Sequence, residues 1–162
     1  MKKTILAVAI FALGGSAYAA TTATSLVTVT GSTGFSIGGN PAKTLGSTIT
    51  NGVQVGGFTV TNSGTTPAKA AVEISSNNKC SDGSSFQFCY ITGDGKGATK
   101  QIWVDLDSAS DFIWNSTSNQ FISKSLMATN AKSPLLFTAI RNNANLTPGE
   151  YNLVATVKTS TN

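Results

Sequence analysis

The side chains able to do chemistry are few and widely spaced. The carboxylates are Glu73, Asp82, Asp94, Asp105, Asp107, Asp111 and Glu150, and the sequence has no histidine. Without imidazole there is no Ser-His-Asp or Cys-His arrangement and no imidazole metal site. Asp105 and Asp107 stand two apart, so on a strand they share a face and suit either an acid–base pair or a calcium grip. A polar strand end entering a loop gives the same spacing and is the simpler reading. Gly93-Asp94-Gly95-Lys96-Gly97 has the glycines of a phosphate cradle but neither the spacing nor the following helix of a P-loop. It reads as a loop. Trp103 and Trp114 have faces on which a sugar can stack, although a tryptophan on a strand more often packs in or beside the core. Asn115-Ser116-Thr117 and Asn145-Leu146-Thr147 match the glycosylation acceptor pattern, which carries little weight on its own. No catalytic constellation emerges. The sequence reads as a non-enzyme that needs no cofactor.

The remaining reactive groups are two thiols, Cys80 and Cys89. In an exported chain a disulfide is the default, because a metal site needs further ligands. The bridge would close a loop of ten residues. Chain-entropy arithmetic assigns such a loop about 2.7 kcal/mol.

Export itself is read from the first residues. Met1-Lys2-Lys3 is a basic start, Ile5 to Leu13 is an apolar run of nine, Gly14-Gly15-Ser16 breaks it, and Ala17-Tyr18-Ala19 offers small residues to a signal peptidase. This is a three-part secretory signal over residues 1–19, too short to span a bilayer, which needs about 20 apolar residues. No later stretch spans one either. Removing 19 of the 162 residues leaves 143, one domain with a single core. The formal charge of +4 loses Lys2 and Lys3 to become +2, and the other basic residues are scattered singly. A nucleic-acid partner would require a clustered basic stripe. Charged residues make up 11% of the chain, against a usual share of about 25%. Thr, Ser, Asn and Gly replace them, yet the Val, Ile, Thr and Phe content is that of a folded β-protein rather than of a disordered chain.

The elements that must position these residues read as strands throughout. Thr21 to Thr30 is ten residues without Gly, Pro or charge and rich in β-branched side chains. Alternation divides it into a face of Ala23, Ser25, Val27 and Val29 and a face of Thr22, Thr24, Leu26, Thr28 and Thr30. After a glycine-rich stretch with at most one short strand at Phe35 to Ile37, further strands are expected at Val53 to Asn62, Lys69 to Ser75 and Phe86 to Ile91. Gln101 to Leu106 comes next. Phe112 to Trp114 and Phe121 to Leu126 flank a hairpin tip at Asn115 to Asn119, and Leu135 to Arg141 and Tyr151 to Thr159 complete the set. Within Val53 to Asn62 the expected faces are Val53, Val55, Gly57 and Thr59 against Gln54, Gly56, Phe58 and Val60. About seven strands separated by turn signals, with no helical period, point to an all-β antiparallel sandwich; a closed barrel stays open, since periodicity does not count sheets.

The two ends of the mature chain carry a resemblance. Leu146, Pro148-Gly149-Glu150-Tyr151 and the alternating Leu153, Ala155 and Val157 close it, and the uncharged Thr21 to Thr30 strand with its glycine-rich hinge opens it. This combination resembles the pilus and capsule subunits of the bacterial chaperone–usher pathway, and most closely the branch that builds thin fibres and capsule-like adhesins. Two features depart from the type 1 branch. Cys80 and Cys89 sit close together in mid-chain, and the chain ends Ser160-Thr161-Asn162 without a penultimate tyrosine.

The resemblance implies an immunoglobulin-like β-sandwich that lacks its final strand and is completed by a donor strand. A periplasmic chaperone fills the open groove first, and at the outer-membrane usher the N-terminal extension of another subunit replaces it. Strand addition of this kind draws strength from main-chain hydrogen bonds and specificity from alternate side chains. Residues 20–34 would be the donor-strand extension and hinge, and residues 35–162 the domain. Ala23, Ser25, Val27 and Val29 are expected to insert, with the Leu26 face as the competing register. Leu135 to Ile140 is expected beside the groove. The resulting expectation is a subunit of a surface pilus or fibrillar adhesin, bound to copies of itself or other subunits and in some cases to a host receptor. The rival is a monomeric secreted β-sandwich that binds a carbohydrate or host protein. An ordinary first strand, paired within its own domain, is the alternative for Thr21 to Thr30.

Overall fold

The computed structural model describes residues 21–27, 34–79, 88–92, 101–142, 144, 146–147 and 149–161, with residues 21–27 and 90–92 described by their backbone only. The signal segment, Val29, Cys80 and the Gly93 to Gly97 loop lie outside these residues. Eleven strands follow in chain order: β1 (Thr21–Val27), β2 (Phe35–Gly39), β3 (Lys43–Leu45), β4 (Gln54–Asn62), β5 (Ala70–Ile74), β6 (Phe88–Thr92), β7 (Gln101–Leu106), β8 (Phe112–Asn115), β9 (Gln120–Ser123), β10 (Lys132–Ala139) and β11 (Glu150–Thr159). The only helical element among the described residues is a single 3-10 turn, Ser76–Asn78.

The strands are hydrogen-bonded in the order β2-β4-β10-β7-β6-β11-β5-β9-β8, with β1 added between β11 and β3. Laid flat, β10 and β9 would be five strand spacings apart, about 24 Å. Instead Phe137 of β10 and Phe121 of β9 meet edge-on with ring centroids 5.6 Å apart. The path therefore folds back on itself into two layers around one core, an immunoglobulin-like β-sandwich. Phe58, Phe112, Phe121, Phe137, Ile102, Leu135, Tyr151 and Leu153 fill its centre.

Most expected strands are found within two or three residues of their anticipated ends, and Gln101–Leu106 coincides fully. The hairpin tip forms as read: Asn115 Oδ1 accepts from the backbone N–H groups of Thr117 (3.0 Å) and Ser118 (3.1 Å), and Asn119 takes a left-handed φ of 53°. Three expectations need correction. Strict alternation fails in β4, where Val55 and Gly57 are buried and so are Phe58, Val60 and Asn62. The ladder to β10 passes from Gly56 directly to Gln54, so the strand carries a bulge that flips the facing of everything before it. Gly57 sits hard against β10: a Cβ there would run into the carbonyl oxygen of Leu135, leaving room for glycine alone. Second, β10 pairs with β4 and β7, so the Leu135 to Ile140 segment borders neither side of β1 and lies away from the position expected beside the groove. Third, the glycine-rich stretch holds two short strands, β2 and β3, where at most one was expected; the antiparallel sandwich stands, with one parallel ladder among the described strands, β1 on β11.

Candidate strand-acceptor site

The last strand organises the site. Tyr151, Leu153, Ala155 and Val157 of β11 are buried and alternate with the half-buried Asn152, Val154 and Thr156, the period-two signature of a strand lying over a core. Tyr151 is pinned at both ends, its ring fully buried and its hydroxyl donating to the Thr147 carbonyl oxygen four residues earlier at 2.8 Å. A tyrosine at the start of a late strand, bonded back to the upstream backbone, fixes the corner through which immunoglobulin-like chains enter that strand.

One edge of β11 is occupied by two partners in succession. Tyr151 and Asn152 pair with Thr92 and Ile91 of β6, and Ala155 to Thr159 pair with Ile74 to Ala70 of β5. The handover leaves backbone groups that neither strand reaches, and Asn78 supplies them. Its buried side chain donates through Nδ2 to the carbonyl oxygens of Cys89 (2.9 Å) and Asn152 (2.8 Å), and its Oδ1 accepts from the Val154 N–H (3.0 Å). Ser75 N–H completes the junction by donating to the Val154 carbonyl at 2.8 Å. A buried polar group is tolerated when its hydrogen-bonding capacity is met, and here one amide satisfies three main-chain groups. In the sequence Asn78 lies between the strands expected at Lys69 to Ser75 and Phe86 to Ile91. Nothing in the Ser76-Asn77-Asn78 string distinguishes it, because its role depends on two strands that meet only in the folded chain.

The other edge of β11 receives β1. The register pairs Thr22 with Glu150, Ala23 with Tyr151, Thr24 with Asn152, Ser25 with Leu153, Leu26 with Val154 and Val27 with Ala155. On its far side β1 pairs antiparallel with β3, Thr21 to Leu45, Thr22 to Thr44 and Ala23 to Lys43. The site is thus a slot between β3 and β11 that holds one extended segment. Lys43 is tied down at its wall, donating through Nζ to the Gln54 carbonyl oxygen (3.2 Å) and Oε1 (2.7 Å).

A solved structure with this architecture is the minor tip subunit HdaB of the E. coli Hda pilus, with a TM-score of 0.58 and 12% identity over 78% of this chain and 82% of that one. The fold is that of pilus and adhesin subunits. The DraE adhesin, solved in complex with chloramphenicol succinate, and the AfaE-3 adhesin of Escherichia coli each align with a TM-score of 0.54 and 17% identity, over 88% of this chain and 96% of theirs. No protein-family model matches the sequence, and no curated protein does.

The other chemistry-bearing residues are put to structural use within this pilin-like fold. Trp114 packs against Phe88 (5.3 Å) and Phe121 (5.0 Å) in an aromatic cluster. Trp103 is half-buried on β7 with the Arg141 guanidinium 4.0 Å above its ring. Asp105 is the exposed penultimate residue of β7 and its Oδ1 accepts from the Leu106 N–H at 2.6 Å. Asp107 opens the following turn, accepting from the Ala109 N–H at 2.8 Å. The two carboxylates are engaged by separate backbone amides at a strand end, and no described residues group into a metal-binding cluster. Cys89 is buried on β6 and is not a free thiol.

Proposed function

We propose that this chain is an exported structural subunit of a surface pilus or fibrillar adhesin that polymerises by donor-strand exchange. The observation that carries the proposal is β1 itself: an uncharged segment laid in register along β11, in a slot whose walls are β3 and β11. The pilus tip and adhesin structures of the same fold support this reading.

In this reading residues 1–19 are a signal peptide, residues 20–34 the donor extension and hinge, and residues 35–162 the immunoglobulin-like domain. Ala23, Ser25, Val27 and Val29 form the inserting face. The register favours them over the Leu26 face, since Ala23, Ser25 and Val27 stand opposite the buried Tyr151, Leu153 and Ala155, whereas Leu26 stands opposite half-buried Val154. A periplasmic chaperone would cover the slot before assembly, because an open sheet edge above an apolar floor invites aggregation. An outer-membrane usher would then catalyse exchange with further subunits. Attachment to a host receptor would be a second role of the assembled fibre. A Cys80–Cys89 disulfide belongs to the same reading, supported by the bridge between Lys79 and Phe88 that brings the two flanking residues together.

The test is to express the full chain with chaperone and usher, then compare boiled and unboiled samples on a detergent gel. Heat-dissociable multimers that disappear with Val27→Asp or Val29→Asp are expected. A single monomer band, indifferent to both substitutions, would refute the proposal and leave a monomeric secreted binding protein.

A further inference from the structure

Asn51-Gly52 is the one Asn-Gly pair in the sequence, and it forms the turn that leads into β4. Gly52 takes a left-handed φ of 85°, and both residues are exposed. Such a pair has a chemistry of its own. The main-chain nitrogen of the glycine can attack the asparagine Cγ, because no side chain on the glycine blocks the approach. The side-chain amide nitrogen leaves as ammonia, and a five-membered succinimide closes. Water then opens the ring at either carbonyl, giving aspartate or an isoaspartate whose main chain runs through Cβ and Cγ. Water is the only co-reactant.

The fold holds this reaction back. Attack requires the nitrogen to release its proton and turn toward Cγ, yet the Gly52 N–H donates to the carbonyl oxygen of Ala139 at 2.8 Å. Ala139 is the buried last residue of β10, and its own N–H donates to the Val53 carbonyl oxygen at 2.9 Å. The Asn51 N–H donates to Asn142 Oδ1 at 2.9 Å, and the Val53 N–H closes the turn on the Thr50 carbonyl at 3.3 Å. The peptide between Asn51 and Gly52 is therefore held on both flanks. It reacts only after the turn has lifted from β10. The tie to Asn142 is an exposed one, so it can be cut without disturbing the core.

We infer that Asn51 is a site of spontaneous deamidation whose rate is set by local opening of the Thr50 to Val53 turn. Attack is slow in the closed turn and fast in the open one, so the acid accumulates with the time the turn spends detached. The modification does not depend on whether the protein polymerises.

Peptide mass spectrometry of the purified protein, aged in mildly alkaline buffer, follows amide-to-acid conversion at Asn51. The same protein unfolded in guanidinium chloride should convert at least about tenfold faster. Asn142→Ala should speed conversion in the folded protein by about threefold or more at an unchanged guanidinium midpoint, because it loosens the turn and not the core. Asn51→Gln should abolish the mass gain in that peptide, since the longer side chain closes the ring poorly; a gain that persists would place the reaction elsewhere and overturn the assignment. Equal rates in folded and unfolded protein would overturn control by the fold. No conversion even in the unfolded chain would overturn the site itself. A folded protein that converts slowly, and no faster with Asn142→Ala, would overturn opening of this turn as the controlling step.

Discussion

The two edges of β11 are built on opposite principles. Along one edge, β6 and β5 are antiparallel, belong to the body of the domain, and are joined by an asparagine that satisfies the main-chain groups left at their junction. Along the other lies one uncharged segment from the chain's N-terminal end, parallel to β11. Both edges cover the same buried row of Tyr151, Leu153 and Ala155. If β1 is exchanged as proposed, the lesson is that hydrophobic pattern alone does not distinguish a permanent sheet neighbour from a replaceable one. Side-chain locks and connectivity do.

Substitutions can break this contrast in graded ways. Tyr151→Ala removes a fully buried ring at a level where both edges are paired, and should cost about 3–5 kcal/mol in urea unfolding. Tyr151→Phe, which loses only the bond to Thr147, should cost about 1 kcal/mol. Asn78→Ala strips the lock from the permanent edge and leaves the Cys89 and Asn152 carbonyls and the Val154 N–H without their partner. A loss of about 3 kcal/mol is expected, with the Val154 amide among those whose hydrogen exchange accelerates most. If Asn78→Ala were as mild as a surface change, the two edges would not differ in the way described.

Val27→Asp probes the edge proposed to be replaceable and should invert the pattern. Stability of the domain should fall by about 1 kcal/mol, less than for Asn78→Ala, while multimers on an unboiled gel disappear. Smallest of all, Arg141→Ala removes the guanidinium above Trp103, away from both edges, and should cost about 0.5–1 kcal/mol with multimers unchanged. Together these separate lesions that unfold the domain from those that only empty its slot.

Much of this molecule was legible in its residues. Runs of β-branched side chains bounded by Gly, Asn and Ser located the strands, since period-two burial and turn chemistry are local properties. The alternation of Tyr151, Leu153, Ala155 and Val157 marked a strand over a core, and the structure buries all four. Tertiary structure decided what depends on meetings between distant segments. The bulge at Val55 emerges only in the ladder with β10, and no property of the Gln54 to Asn62 string announces it. Asn78 is an unremarked loop residue until β6 and β5 meet on β11. The parallel direction of β1 on β11 is likewise a property of the folded chain alone. Local sequence determined which segments are strands, because propensity and patterning act over a few residues; which edge each strand occupies, and in which direction, was settled by the packing of parts far apart in sequence.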